Sequence, residues 1–216
     1  TAGDIETIKW VDKLHPSCWK ISSGLLTHIP LISYLASLGR PLLISTGMAI
    51  QDEIDLAIKT VRAAGNNDIS LLQCTSLYPA PLDSLNLKII KSLKRKYKCN
   101  VGFSDHSLGT DAAFLSVGAG AMIIEKHFSL DPGRVGFDHK ISLNAADFKV
   151  MVERIRMAEI IMGSSEKVAS IELTETRNYF LRSIVAIKNI SKGDAFSDHN
   201  IGVKRTLSGR GGSEPK

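Results

Sequence analysis

The chain has 216 residues, is 44% hydrophobic and 23% charged, and carries a formal net charge of +5. That length can bury a substantial core in one domain or one and a piece, and the balance excludes a disordered chain. No apolar run approaches the roughly 20 residues of a membrane span, and Thr1-Ala2-Gly3-Asp4 has neither the basic head nor the apolar stretch of a secretory leader. A start without Met suggests a chain that begins inside a longer protein.

From the N-terminus, an amphipathic segment around Ile5 to Leu14 leads into a strand, Cys18 to Ile21, that exits at Ser22-Ser23-Gly24. Pro30 sits in the first turn of a helix with Leu31, Leu35 and Leu38 on one face and Gly39 as its stop. A second strand, Pro41 to Ile44, exits at Ser45-Thr46-Gly47, and a helix follows with Ile50, Ile54, Ala57, Val61 and Ala64 at helical spacing. The third strand, Ile69 to Leu72, leaves through Gln73-Cys74-Thr75-Ser76. Next comes a helix whose apolar Leu87, Ile90, Leu93 and Tyr97 oppose Lys91, Lys94, Arg95, Lys96 and Lys98. That basic run reads as a solvated face. It lacks the aromatic interleaving of a nucleic-acid binder, so the charge points at most to anionic small substrates.

The fourth and fifth strands, Val101 to Phe103 and Ala121 to Ile124, flank a short small-residue helix at Gly109 to Gly118. They exit at Ser104-Asp105-His106 and Glu125-Lys126-His127. Asn144 then caps a long helix with Phe148, Met151, Val152, Ile155 and Ala158 as its buried stripe, ending at Gly163. Residues 164–178 read as a polar linker. Phe180 to Ala186 and Ile201 to Lys204 read as strands of a small β-rich module over 179–205, and 206–216 as a disordered tail. Cys18, Cys74 and Cys99 have no paired spacing, which fits reduced thiols in a cytoplasmic protein.

Strands recurring about every 25 residues, each nearly all apolar, imply an α/β fold with a parallel sheet. Every strand ends in small polar or ionisable residues, which favours a (β/α)8 barrel over a doubly wound sheet. Five units do not close such a barrel, so three more are expected before Thr1. Two imidazoles at neighbouring exits, His106 and His127, suit a shared divalent cation, and nitrogen ligands alone leave manganese, zinc, cobalt and iron open. Lys20 is either a Schiff-base nucleophile, a point charge for an anion, or a side chain that snorkels to solvent. Ser23, Ser45, Thr46, Ser76 and Ser104 form a ring of hydroxyls suited to an oxyanion. Strand alternation lets only one of Ser22 and Ser23 point inward. Asp138 is either a polyol acceptor or a turn residue, and Tyr78 either a loop anchor or one wall of a sugar site.

Lys20-Ile21-Ser22-Ser23-Gly24, Ser45-Thr46-Gly47-Met48, Cys74-Thr75-Ser76 with Tyr78-Pro79, Ser104-Asp105-His106, Glu125-Lys126-His127-Phe128 and Gly136-Phe137-Asp138-His139 occur in this order. Together they resemble the N-acetylneuraminate (sialic acid) synthase family, over essentially Thr1 to Arg205. The segment from Ser183 to Arg205 is similar to the start of that family's antifreeze-like, or SAF, module. The resemblance implies metal-dependent condensation of phosphoenolpyruvate with N-acetylmannosamine or a related N-acetylated amino sugar. The products would be a nonulosonic acid, equally a legionaminic or pseudaminic type, and phosphate.

By resemblance His106 and His127 bind the metal, usually manganese, and Lys20, Ser23, Ser45, Ser76, Ser104 and Thr1 hold phosphoenolpyruvate. Tyr78 and Asp138 bind the sugar, and Arg205 is delivered by the partner in a swapped homodimer. Three departures stand out and suggest a fragment inactive alone: the family's first three strands, with an acidic sugar-binding residue and a second phosphate-binding lysine, are absent from this chain; Leu25 replaces a usual acidic residue; and Thr206-Leu207-Ser208 replaces the usual Pro-Gly after Arg205. These departures leave open a catalytically inactive sugar- or metal-binding remnant. A barrel lyase using Lys20 as a Schiff base is a third reading.

Overall fold

The computed structural model describes residues 1–136, 138–206, 211 and 213–215. The chain divides into two compact units, Thr1–Gly163 and Ser164–Lys216. In the first unit α1 (Ile5–Asp12) precedes an alternation of β1 (Trp19–Ile21), α2 (Ile29–Ser37), β2 (Leu42–Ser45), α3 (Gln51–Ala63), β3 (Ile69–Cys74) and α4 (Ile89–Tyr97). It continues with β4 (Asn100–Asp105), α5 (Asp111–Gly118), β5 (Ile124–Lys126) and α6 (Ala145–Met162). The five strands form one sheet in the order β1-β2-β3-β4-β5, every pair parallel. A doubly wound sheet reverses order at its switch point. This sheet does not, and it curls as a parallel half-barrel.

Local chemistry sets the elements. Asp4 caps α1 by accepting from the Thr7 amide at 2.8 Å, and Asn144 caps α6 by accepting from Asp147 at 2.9 Å. In β3 and β4, Leu71, Leu72, Val101 and Phe103 are fully covered, alongside the buried polar Ser70, Gln73, Ser104 and Asp105. Between α3 and α4, Asp55 accepts from Lys96 Nζ and from the Tyr97 hydroxyl, both at 2.7 Å. Burial, and then that hydrogen bond, pushes the Tyr97 phenol far above its ordinary range. Arg154 of α6 reaches Thr110 Oγ1 at 2.8 Å and Asp111 Oδ1 at 2.7 Å, fastening α6 to the start of α5. The basic side chains Lys91, Lys94, Arg95 and Lys98 border an open depression at the amino-terminal ends of β3 and β4, away from the strand exits.

Several expectations shift. The fifth strand is Ile124–Lys126 rather than Ala121 to Ile124, and β4 runs on through Asp105. Ser104 pairs with Glu125 and Asp105 with Lys126, so residues read as exits belong to the ladder. Their polarity is satisfied by one another, which removes the reason to end the strand. In α6 only Met151 and Ala158 are buried, and Val152 of the expected stripe is exposed. That helix packs chiefly against α5, so one narrow face is covered.

In the second unit the segment read as a linker and strand is α7 (Ile171–Phe180), with Ser170 accepting from the Leu173 amide at 3.2 Å. Polar residues hid this helix, because Thr174 and Thr176 satisfy their hydroxyls on backbone carbonyls four residues back. Antiparallel β6 (Ser183–Ala186) and β7 (Ile201–Lys204) come next. Of the tail expected to be disordered, 207–210, 212 and 216 lie outside the described residues, and Ser213 bridges to Ile184. No helix among the described residues is long and apolar enough to cross a membrane.

Gly102 in β4 is where the sheet is tightest. A Cβ there would clash with the Ile123 carbonyl oxygen and lie only 2.6 Å from Leu72 Cδ2. Gly102→Ala is expected to cost about 1–3 kcal/mol by overpacking, read as a lower urea midpoint; a midpoint equal to wild type would contradict this packing.

Candidate functional site

The carboxyl ends of β1 to β5 surround a cavity of about 410 Å³, within the usual range for small-ligand sites. Lys20 sits inside β1, and the chain then turns through a short 3-10 segment beginning at Ser23. Because β1 stops at Ile21, strand alternation does not extend to Ser22 and Ser23. Both line the cavity, contrary to the expectation that only one could. Ser45 ends β2 with its hydroxyl buried and unpartnered, a polar atom that lacks a protein hydrogen bond. Thr46 drops out of the expected hydroxyl ring, since its Oγ1 donates to the Leu72 carbonyl at 3.0 Å.

Gly47 is the cradle of the site. Its amide donates to Ser23 Oγ at 3.0 Å, and a Cβ would clash with Ser76 Oγ and lie 2.8 Å from Ser23 Oγ and 2.9 Å from Cys74 Sγ. Three polar side chains close over one residue that can have none. On the other side, Glu125 accepts from Ser104 Oγ at 2.7 Å and pairs with Lys20 Nζ at 3.3 Å. A cation, a carboxylate and a set of hydroxyls thus share one wall.

The two histidines meet as expected. Their ring centroids are 5.2 Å apart at 60°, and Tyr78 stacks on His106 with centroids at 4.3 Å while presenting an edge to His127. His106 Nδ1 lies 2.8 Å from the Thr75 carbonyl, which can only accept, so Nδ1 carries a proton and, in the neutral ring, Nε2 carries the lone pair. Asp138 Oδ2 stands 3.7 Å from His127 Nδ1, a distance for electrostatic attraction rather than a hydrogen bond. Asp138 is therefore beside a histidine, although it is not among the residues lining the cavity.

Burial pushes the Cys74 thiol up, but the hydrogen bond to His106 and its charge, helped by Ser104 and Ser23, turn the net shift downward. Burial likewise acts to lower His106, yet its bonds to Cys74 and the Thr75 carbonyl, with the charges of Cys74 and Glu125, leave it raised. For His127 burial prevails, with His106 adding to it against Asp138 and Glu125, so its pKa falls below the ordinary value. The two imidazoles have different electrostatic settings. Burial also raises Tyr78, with the charges of Cys74, Asp138 and Glu125 contributing.

Lys20, Ser23, Ser45, Ser76, Tyr78, Ser104, His106 and His127 all line the cavity. Thr1 is exposed and is not among its lining residues, and Leu25 packs against the hydrophobic core. Arg205 belongs to the second unit, where its guanidinium lies 5.1 Å from the Phe180 ring centroid. Glu125 and Cys74 had no assigned role, although both line the cavity. The signal for Glu125 was alternation: two residues before His127, it must share that histidine's face.

Among the described residues no group of three or more His, Cys, Asp and Glu side chains is arranged to hold a metal ion. The donor set nevertheless fits one held by two imidazoles, since in the neutral form of His106 the Nε2 is the nitrogen left with a lone pair and His127 stands beside it. Water or a ligand would complete the coordination.

A family model described as the NeuB family matches residues 1–167. The N,N'-diacetyllegionaminic acid synthase of Campylobacter jejuni is 38% identical over 211 residues, covering 97% of this chain and 63% of that protein. The pseudaminic acid synthase of the same species is 36% identical, covering 91% of this chain and 57% of that protein. The solved N-acetylneuraminic acid synthetase of Leptospira borgpetersenii, in complex with citrate, superposes with a TM-score of 0.77 at 30% identity. It covers 82% of this chain and 63% of its own. The chain therefore spans about three fifths of the length of such relatives.

Gly47→Ala tests the cradle. Its new methyl must displace Ser23, Ser76 or Cys74, so calorimetric titration with inorganic phosphate is expected to show at least about tenfold weaker binding with circular dichroism unchanged. Undiminished binding would mean that the cradle does not hold the anion.

Proposed function

This chain belongs to the NeuB family, and we propose that it carries out the metal-dependent condensation of phosphoenolpyruvate with an N-acetylated amino sugar such as N-acetylmannosamine, giving a nonulosonic acid and phosphate. The observation that carries this reading is the single cavity in which Lys20 and the serine hydroxyls face His106 and His127. The fold reading that accompanies it is five units of a (β/α)8 barrel, followed by the beginning of a SAF-like module at β6 and β7. In a cytoplasmic swapped homodimer, Arg205 would reach the partner's site.

Lys20 supplies the charge, and Ser23, Ser45, Ser76 and Ser104 the hydrogen bonds, that hold the phosphate and carboxylate of phosphoenolpyruvate. The unpartnered Ser45 hydroxyl supports this role, because a buried donor without an acceptor is costly unless a ligand supplies one. Tyr78 presents an apolar face and a hydroxyl to the amino sugar, and Asp138 an acceptor at the rim. His106 and His127 would hold Mn²⁺, which when bound polarises a carbonyl oxygen toward nucleophilic attack. Glu125 is the one carboxylate lining the cavity among the described residues, and its bonds to Lys20 and Ser104 keep it oriented as an acceptor. Fixing both substrates over one rim supplies the orientation that a bimolecular carbon–carbon bond formation needs.

Leu25 favours a second reading, a remnant that binds without turnover, since its side chain joins the core where an acid is usual. With the expected amino-terminal units supplied in trans, phosphate release from phosphoenolpyruvate separates the two. For the enzyme it requires Mn²⁺ and the amino sugar together, and His127→Ala lowers it by about 10²–10³-fold. Sugar or metal binding with no release under any pairing favours the remnant.

Lys20→Met is expected to raise the KM for phosphoenolpyruvate by about tenfold or more, the range for losing one charge-assisted contact. A borohydride-trappable adduct at Lys20 would instead favour the Schiff-base lyase.

A further inference from the structure

Between the two histidine exits lies an ion pair that the proposed reaction does not use. Asp105 and Lys126 are register partners on β4 and β5, and both side chains are fully buried. Lys126 Nζ contacts Asp105 Oδ2 at 2.9 Å and also donates to the Ser107 carbonyl. Asp105 Oδ1 accepts from the Ser107 amide at 2.8 Å and from its hydroxyl at 2.6 Å. Strand alternation puts Asp105 and Lys126 on the face opposite Ser104 and Glu125, and no member of the cluster lines the cavity.

The connectivity has a specific consequence. Lys126 grips the residues on both sides of His106, namely Asp105 and Ser107, while its own chain neighbour is His127. The Asp105–Ser107 bonds close a small ring around the His106 backbone. A second brace comes from the Ala80 amide, which donates to the His106 carbonyl at 3.0 Å. A desolvated pair is seldom a gain over apolar packing for stability alone, whereas it is directional and defines one arrangement.

We propose that Asp105, Lys126 and Ser107 form a positioning clamp that holds His106 and His127 at the spacing required by a shared divalent ion. This rests on the metal reading above. None of the three lines the cavity.

Co²⁺ titration of the full chain, monitored by its visible absorption bands, tests the clamp in Lys126→Met and Ser107→Ala. Both variants are expected to bind Co²⁺ about 10–100-fold more weakly, as for lost outer-shell support of a metal ligand, with shifted bands and wild-type far-ultraviolet dichroism. Folded variants with wild-type affinity and bands overturn the proposal. If Lys126→Met does not fold, Ser107→Ala, which removes one hydroxyl, decides alone. If wild-type Co²⁺ binding is indifferent to His106→Ala and His127→Ala, the metal reading falls instead. The clamp is then judged by hydrogen exchange at the Ser107 amide, expected to quicken about tenfold in Ser107→Ala, with unchanged exchange counting against it.

Discussion

Parallel pairing of β1 to β5 in chain order is the constraint on which everything else depends. Parallel strands share a direction, so every carboxyl end opens on one rim, and the crossover helices must return along the outside. Residues more than a hundred positions apart, Lys20 and Glu125, thereby become ion-pair partners. A shift of one residue in the β4–β5 register would turn Ser104 and His106 away from Glu125 and His127. The buried Asp105–Lys126 pair resists that shift, because slipping it would leave two charges unpaired and shielded from solvent.

The same rim joins two sets of side chains. Lys20 pairs with Glu125, and the hydroxyls around Gly47 close over a backbone that requires a residue without a side chain. Cys74 links this cradle to His106, which keeps its Nδ1 proton on the Thr75 carbonyl while Tyr78 covers its ring. Burial acts to depress both imidazoles, and only the immediate partners of His106 reverse it. Neighbouring groups of one chemical type thus acquire different proton affinities from contacts supplied by β3 and its exit loop.

Much of the first unit was legible from apolar runs and their polar terminations. Strands β1 to β4 appear within a few residues of where the runs lie, since strands covered on both faces are built mainly of apolar side chains. The fifth strand was misplaced because Glu125 and Lys126 look like an exit until Ser104, Lys20 and Asp105 are known to meet them. Helix α7 was missed for the related reason that an exposed helix with polar residues on most sides lacks a periodic stripe. The cavity's serines, tyrosine and histidines were readable as motif residues, whereas the loss of the Thr46 hydroxyl to Leu72 was not.

The sequence by itself determined that strands alternate with helices, that each strand ends in polar residues, and that two histidines occupy matching exits. These are properties of neighbouring residues, carried by periodicity and side-chain chemistry. Only the tertiary structure decided that both Ser22 and Ser23 line the cavity, that Glu125 joins Lys20 and Ser104, and that Asp105 and Lys126 are buried together. Such facts depend on which strands become neighbours and in what register, and pairing distances across a sheet leave no trace in local patterning.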